Sequence, residues 1–106
     1  MCPGTDEPKC GSIQLAVTII GDKWSSLILS ALFNGTRRFT ELEQNLGIGP
    51  RTLSQRLHVL EEKGIISKQR FAEVPPRIEY SLTSKGDDLL PVLLSMADWA
   101  AKYQAN

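Results

Sequence analysis

The sequence of 106 residues predicts a mainly α-helical fold with one small β-hairpin. Two observations carry this prediction: apolar residues recur at helical spacing in several segments, and two later segments have the pattern of paired strands. Two short helices joined by a tight turn stand directly before the hairpin, and one more helix follows it. This order is typical of a winged helix-turn-helix domain.

The chain length suits one compact domain and is too short for two. We expect a flexible N-terminal arm over residues 1–11, rich in Pro, Gly and charge, and one domain over residues 12–106. No apolar run approaches the roughly 20 residues that a membrane span needs, and the N-terminus lacks a secretory signal pattern. We therefore expect a soluble, cytoplasmic protein.

Charge is unevenly distributed along the chain. The formal net charge is zero, but the segment from Arg37 to Arg77 carries +3 and the remainder carries −3. A basic middle segment suits a domain that presents one face to phosphate groups.

The first helices are predicted from apolar spacing and capping residues. A buried helix from Ile13 to Ile20 should end at Gly21, and Asp22 should cap the next helix with its carboxylate. Asn34-Gly35 should stop that second helix. Its core-facing stripe is predicted to comprise Trp24, Leu27, Ile28, Ala31 and Leu32.

The helix-turn-helix candidate follows a short bridge, Arg37-Arg38-Phe39. Thr40 should cap its first helix, with Glu43 at capping-box spacing, and Gly47 should end it. The second helix should begin at Pro50, which needs no N–H partner there, and end before Gly64.

The strands are predicted at Ile65 to Phe71 and Arg77 to Thr83, separated by a proline-containing tip. Ile78, Tyr80 and Leu82 should share one strand face. A single long helix should then run from Ser84 to about Gln104.

The helix from Pro50 is the one expected to read DNA. Leu53, Leu57 and Leu60 fall within about 60° of one another and should face the core. The N-terminal half of the opposite face then offers Arg and Gln, which bind guanine and adenine edges, and this half enters the major groove in helix-turn-helix proteins. We expect phosphate contacts from arginines beside this helix and at the base of the hairpin. The predicted DNA-binding residues are Arg37, Arg38, Thr40, Arg51, Thr52, Ser54, Gln55, Arg56, Arg70 and Arg77.

Several motifs resemble those of the HxlR-type regulators, bacterial winged-helix transcription factors related to the MarR group. The matching segments cover most of the chain from about Cys10 to Tyr103. The most specific of them is the wing motif Val74-Pro75-Pro76-Arg77 followed by the strand Glu79-Tyr80-Ser81-Leu82-Thr83, within the segment from Glu73 to Thr83. The other segments are Gly21-Asp22-Lys23-Trp24, Arg37-Arg38-Phe39-Thr40-Glu41-Leu42, Thr52-Leu53-Ser54-Gln55-Arg56-Leu57, Leu60-Glu61-Glu62-Lys63-Gly64 and Lys85-Gly86.

The resemblance implies a homodimer that binds a palindromic operator and thereby represses or activates a gene. The last helix is apolar over much of its circumference, so it needs a second partner besides its own core. We expect the terminal helices of two subunits to meet. The predicted dimer interface comprises Ile13, Val17, Leu89, Leu93, Met96, Trp99, Ala100 and Tyr103.

Some members of this family sense electrophiles or oxidants through a cysteine just before the first helix, and Cys10 stands at about that place. A thiol near a helix N-terminus reacts more readily as the thiolate. The family usually has Cys-Pro here, whereas this chain has Cys10-Gly11. Thiol oxidation at Cys10 and a small ligand both remain open as means of control.

The same residues bear on other functions. An enzyme needs a nucleophile with a base or a metal cluster, and one histidine, His58, with scattered carboxylates offers neither, so we predict no catalysis, metal or cofactor. A protein-interaction winged helix without DNA binding is the alternative, and Arg51, Gln55 and Arg56 count against it. Trp24, Phe33 and Trp99 are candidates for a ligand cavity, or simply for core packing.

Overall fold

The computed structural model describes residues 8–104, with side chains from residue 11 onward. It confirms a mainly α-helical winged helix-turn-helix with a small antiparallel sheet. The helices are α1 (Pro8–Ile20), α2 (Lys23–Leu32), α3 (Phe39–Leu46), α4 (Pro50–Glu62), α5 (Ser84–Asp87) and α6 (Leu90–Tyr103). The strands are β1 (Arg37–Arg38), β2 (Ile66–Phe71) and β3 (Arg77–Leu82).

The first helix begins at Pro8, earlier than the predicted start near Ile13. Proline is well tolerated in a first helical turn because its missing N–H has no partner there in any case. Residues 8–11, which were predicted to belong to the arm, are therefore helical. Residues 1–7 lie outside the described part, so the arm stays a prediction for them.

The core lies where α2, α3 and α4 pack over the sheet. Its buried members are the apolar side chains Ile20, Ile28, Leu29, Leu32, Leu42, Ile48, Leu53, Leu57, Leu60, Ile65, Ile66 and Tyr80. Leucine and isoleucine dominate this cluster, and each contributes roughly 1.5–3 kcal/mol through burial.

The buried face of α2 differs from the predicted stripe. Ser25, Ile28, Leu29 and Leu32 are buried, whereas Leu27 is 37% exposed. The face is turned roughly 80° from the prediction at the 3.6-residue helical period. Ser25 explains the error, because its hydroxyl donates to the Asp22 carboxylate and is thereby satisfied inside the protein.

The sheet has three strands in the order β1-β3-β2, one more than predicted. The bridge Arg37-Arg38 is the extra strand, and it pairs antiparallel with Tyr80 and Glu79. A strand of two residues is too short to show the alternating pattern from which strands are predicted. Tyr80 is buried at the centre of the sheet; burial and the nearby Glu61 carboxylate raise its pKa, against the opposing charge of Arg70.

The prediction of one long C-terminal helix is wrong, because the segment is divided into the two helices α5 and α6. The break lies at Asp88 and Leu89, just before Pro91 in the first turn of α6. Proline removes a helical hydrogen bond and its ring displaces the carbonyl four residues earlier, so a continuous helix is disfavoured here.

The molecule is elongated, with a Cα radius of gyration of 15.8 Å. A compact domain of this size has a radius of about 13 Å. The helices at the two ends of the chain leave large apolar side chains in solvent, among them Ile13 on α1 and Trp99 on α6. Within the described residues, no single helix has the length and apolarity to cross a membrane; the bent pair α1–α2 together reaches that length and composition.

Candidate nucleic-acid interface

The turn between α3 and α4 is set by two glycines around one buried isoleucine. Gly47 ends α3 in the left-handed conformation with φ 63°, and its N–H donates to the Glu43 carbonyl at 3.1 Å. Ile48 is buried in the core and holds the turn in place. Gly49 then takes the N-cap position, and Pro50 begins α4 as predicted. This is the tight turn of a helix-turn-helix.

The burial of α4 confirms the predicted division of its faces. Leu53, Leu57 and Leu60 are fully buried in the core. Arg51 and Gln55 are exposed on the other side, together with the residues Ser54 and His58. Arg51, Ser54 and Gln55 are called here the outward face of α4.

The residues before α4 are arranged differently from the prediction. Helix α3 begins at Phe39 rather than after Thr40, and Arg38 is its N-cap residue. The Arg38 N–H donates to Glu41 Oε1 at 2.8 Å, so Glu41 replaces the predicted Glu43 in closing the helix start. Thr40 is therefore an exposed residue of the first turn, not a cap.

The wing is the hairpin of β2 and β3, with Phe71 paired to Arg77 at its end. Arg77 Nη1 lies 2.9 Å from Glu73 Oε2, and its Nε lies 3.0 Å from Glu79 Oε2. The same guanidinium lies over the Phe71 ring at 4.0 Å. Arg77 is thus held by the wing itself, whereas Arg70 on the adjoining strand is exposed.

A cleft of about 430 Å³ separates the wing tip from the start of α3. It is lined by Arg38, Phe39 and Thr40 on one side and by residues 73–78 on the other. The structure therefore brings two predicted DNA-binding residues, Arg38 and Thr40, beside the wing. Arg37 is half-buried on β1, and its Nη1 donates to the Thr36 carbonyl at 3.1 Å.

Arg56 lies on the flank of α4, between the core and the outward face. Its Nη1 is 3.7 Å from Asp22 Oδ2, so the guanidinium turns toward the start of α2. Asp22 confirms its predicted capping role by accepting the N–H groups of Trp24 and Ser25 at 3.0 and 3.2 Å. Nothing in the sequence pattern indicated its second contact, with Arg56.

The electrostatics of Asp22 follow from these contacts. Burial by itself raises the pKa of the carboxyl, but the hydrogen bonds from Ser25 and Trp24 and the charge of Arg56 outweigh it. The net result is a pKa below the usual value, so Asp22 is a carboxylate at neutral pH.

A family model for the HxlR-like helix-turn-helix matches residues 19–106. The matched region contains the whole helix-turn-helix and the wing. The chain belongs to the HxlR family.

Similar proteins support this assignment. The chain is 42% identical over 104 residues to an HTH-type transcriptional regulator of Methanothermobacter thermautotrophicus, a match that covers 97% of this chain and 79% of that relative. A crystal structure of a MarR-family regulator from Enterococcus faecalis matches with a TM-score of 0.83 and 36% identity, over 98% of this chain and 94% of that one. As an HxlR-type protein with this fold, the chain is a transcriptional regulator with a helix-turn-helix domain.

A redox-related protein is also among the similar structures. The reduced form of the transcriptional regulator YodB from B. subtilis matches with a TM-score of 0.78 and 34% identity, over 97% of this chain and 94% of that one. Its diamide-treated form matches with a TM-score of 0.74. In the present HxlR-type chain, Cys10 belongs to α1 by its backbone, but its side chain lies outside the described residues.

The predicted dimer residues fall into two groups in this HxlR-type regulator. Leu89 and Leu93 are half-buried against the domain's own core. The others project into solvent from α1 and α6, and the exposed set also contains residues that were not predicted. The terminal apolar surface comprises Ile13, Leu15, Val17, Leu90, Val92, Leu94, Met96, Trp99 and Tyr103.

The aromatic residues considered for a ligand cavity do not form one together. Trp24 and Phe33 pack against the core, whereas Trp99 is exposed and its ring centroid lies 5.5 Å from that of Tyr103. A shallow apolar depression on α6, lined by Val92, Ser95, Met96, Trp99 and Ala100, lies within the terminal apolar surface. Among residues with described side chains, no group of three or more His, Cys, Asp or Glu is placed to hold a metal ion.

Proposed function

We propose that this HxlR-type regulator binds a palindromic operator as a homodimer and reads each half-site with α4. The observation that carries the proposal is the outward face of α4, where Arg51, Ser54 and Gln55 are exposed while the opposite face is anchored in the core. Arginine and glutamine side chains bind base edges in the major groove. A regulator acting on chromosomal DNA in this way works in the cytoplasm.

Backbone phosphates are the proposed partners of the residues around α4. Arg38 and Thr40 at the start of α3 and Arg70 on the wing are exposed and polar. Arg37 and Thr52 are half-buried and could reach phosphates only from the edge of the interface. Such contacts fix the position of a protein on DNA and set the salt dependence of binding, without reading sequence.

A second copy of the chain is the proposed occupant of the terminal apolar surface. Monomeric proteins rarely leave large apolar side chains clustered in solvent, and here they follow α1 and α6. The elongated shape is what a subunit has when its ends complete a shared core. Two-fold symmetry would place the two α4 helices in successive major grooves, roughly 34 Å apart, which matches a palindromic operator.

Control by thiol oxidation at Cys10 or by a small ligand is the finer part of the proposal. Cys10 is the third residue of α1, and thiols in the first helical turn are activated as thiolates. Similarity to YodB, whose structure is known in reduced and diamide-treated forms, supports control by thiol oxidation. Diamide treatment followed by mass spectrometry and operator binding tests it; unchanged binding with Cys10 fully oxidised would exclude a sensing role for this thiol.

Sequencing the DNA that the purified protein selects from a random library tests the main proposal. The expected product is an inverted repeat. Replacing Arg51 or Gln55 by Ala should then weaken binding to the selected site by about 1–3 kcal/mol each, because each removes a base-edge contact. Gln44→Ala is the matched control, since Gln44 is an exposed glutamine on α3, outside the proposed reading surface.

Two results would contradict the proposal. Selection that yields no enriched sequence would mean that the protein does not read DNA. Enrichment combined with wild-type affinity of both the Arg51 and Gln55 variants would mean that another surface does the reading.

A further inference from the structure

Asp22 lies at the junction of the three helices α1, α2 and α4. Helix α1 ends at Ile20, and α2 begins at Lys23 with its axis turned by 76°. Gly21 makes the close bend between them: its N–H donates to the Val17 carbonyl at 2.7 Å, and a Cβ there would run into that carbonyl oxygen. Asp22 is the next residue, so its carboxylate lies at the bend between α1 and α2.

The Asp22 carboxylate has two sets of partners. Within α2 it accepts from the N–H groups of Trp24 and Ser25 and from the Ser25 hydroxyl. Outside α2 it faces Arg56 Nη1 at 3.7 Å. The contacts within α2 fix the carboxylate rigidly, which makes it a defined reference point for the arginine on α4.

Arg56 is placed for an internal role and not for base contact. On the helical wheel it lies about 60° from the buried Leu53 and about 100° from Gln55 of the outward face. Its Nε is buried and has no hydrogen-bond partner among the described residues. A guanidinium with one end enclosed by protein and the other facing a carboxylate cannot turn outward without losing its contact with that carboxylate.

We propose that Arg56 is a positioning residue: through Asp22 it holds the rotation of α4 that presents Arg51 and Gln55 to the bases. This inference rests on the proposed function of α4. The ion pair is partly exposed, with side chains 39% and 38% accessible, so its contribution to stability is small. The ion pair instead affects the rotation of α4, so its loss should be measurable as weaker discrimination between the operator and other DNA.

A small rotation is sufficient for this effect. A side-chain tip about 7 Å from the helix axis moves by more than about 1 Å when the helix turns by about 10°. Base-edge hydrogen bonds tolerate a range of only about half an ångström in donor–acceptor distance. Phosphate contacts by long flexible side chains adjust to such a shift more easily.

The experiment compares Arg56→Gln, Asp22→Asn and the double variant in the full-length protein. Affinity is measured for the selected operator and for a scrambled duplex of equal length, over a series of salt concentrations. Asn still accepts a backbone N–H at an N-cap, so Asp22→Asn keeps the start of α2 while removing the charge that faces Arg56. Thermal unfolding of each variant verifies that it is folded. If the Arg56→Gln protein is unfolded, the Asp22→Asn protein provides the test.

Each single variant should lower the ratio of operator to scrambled affinity by about two- to fivefold, the most that a partly exposed ion pair can impose. The double variant should be no worse than either single one, because both remove the same contact. The slope of log affinity against log salt should stay at the wild-type value, and Arg56→Lys should recover part of the discrimination. Arg38→Gln is the comparison for a phosphate contact, expected to weaken both DNAs and to lower the slope by about one.

Arg56→Gln would overturn the inference if it weakened both DNAs equally and lowered the slope, since that is the behaviour of a phosphate contact. Unchanged discrimination in folded Arg56→Gln and Asp22→Asn proteins would overturn it as well. Failure of the proposed function is a separate result, because there the wild-type protein itself would not distinguish the operator from the scrambled duplex.

Discussion

Individual arginines in this regulator differ in how much of their hydrogen-bonding capacity the protein already uses. Arg77 is shared between Glu73, Glu79 and the Phe71 ring. Arg70, on the opposite strand, is exposed. Within the same wing, Arg77 therefore organises the hairpin, whereas Arg70 is the arginine that we propose for phosphate contact.

Replacing Arg77 by Gln should lower the free energy of unfolding by about 1–2 kcal/mol. The figure combines a charge-assisted hydrogen bond to Glu73, an ion pair with Glu79 and a cation–π contact, reduced because Glu73 is half exposed. Chemical denaturation measures it. Arg70→Gln is the matched control and should change stability by less than about 0.5 kcal/mol. Equal losses in the two variants would contradict the assigned division of roles.

Asp22 gives a prediction about pH. Its pKa is lower in the folded protein than its usual value, so the folded state favours the carboxylate. The resulting stability is fully present above about pH 4, where the unfolded chain is also ionised, and is lost as pH falls through the folded pKa. Asp22→Asn should therefore lower stability at neutral pH but have a smaller effect near pH 3.

Denaturation of the wild type and the Asp22 variant at both pH values measures this difference. Asp98→Asn, an exposed change on α6, is the control. If the difference between wild type and Asp22→Asn stayed constant across the acid range, the carboxylate would not be the favoured form in the folded protein.

At the level of single residues, the sequence predicted the faces of α4 well and the partners of the arginines poorly. Leu53, Leu57 and Leu60 repeat at helical spacing, and burial follows directly from that pattern. The contact between Arg56 and Asp22 joins residues far apart in the chain. No periodicity records such a tertiary contact, just as none revealed that Ser25 is buried.

Among the elements, the short turn before α4 depends on backbone conformation more than on packing. Gly47 has φ 63°, and a Cβ added to it would meet no atom within 4 Å. Gly49 has φ −63°, and the space around its Cβ position is equally open. A side chain at Gly47 is therefore strained by its backbone alone, whereas a side chain at Gly49 is not.

The two glycines should respond to substitution with opposite sign. Gly47→Ala should lower the free energy of unfolding by about 1–2 kcal/mol, the cost of a left-handed residue with a Cβ. Gly49→Ser should raise it by a few tenths of a kcal/mol, because serine is a better N-cap than glycine. Thermal or chemical unfolding measures both. A loss of stability at Gly49 as large as at Gly47 would show that packing, not conformation, controls this turn.

Sequence reasoning missed one strand that is too short to have a periodic pattern and one helix break that a continuing apolar pattern conceals. Strand β1 has two residues, and its pairing with β3 supplies the ladder that defines it. The break before α6 was signalled in the sequence by Pro91, but the apolar pattern from Leu89 onward continues across it. A proline in a first turn is compatible with a helix start, so the proline indicated a new helix rather than the continuation of the old one.

The whole molecule is organised around an unequal distribution of burial. The helix-turn-helix and sheet enclose the core, while α1 and α6 carry the terminal apolar surface into solvent. Trp99 and Met96 lie one turn apart on α6, and both are about half exposed or more. Tryptophan is among the residues that contribute most of the affinity in protein interfaces, and methionine is enriched in the buried centre of such interfaces.

Replacing Trp99 or Met96 by Lys should therefore convert the proposed dimer to monomer. Each change removes an apolar contact and introduces a charge that must stay in water, with a cost of about 2 kcal/mol or more to association. Light scattering over a concentration series measures the mass. Asp98→Lys, which also introduces a lysine but on the polar side of α6, should leave the dimer intact.

Operator binding links this assembly to DNA reading. A monomer retains the outward face of α4 but holds only one half-site, so the Trp99 and Met96 variants should lose most of their affinity for the full inverted repeat. Their affinity for a single half-site should equal that of a wild-type subunit, because α4 is unchanged. Variants that remain dimeric, or a wild type that is monomeric at every concentration, would instead assign the terminal apolar surface to a different partner.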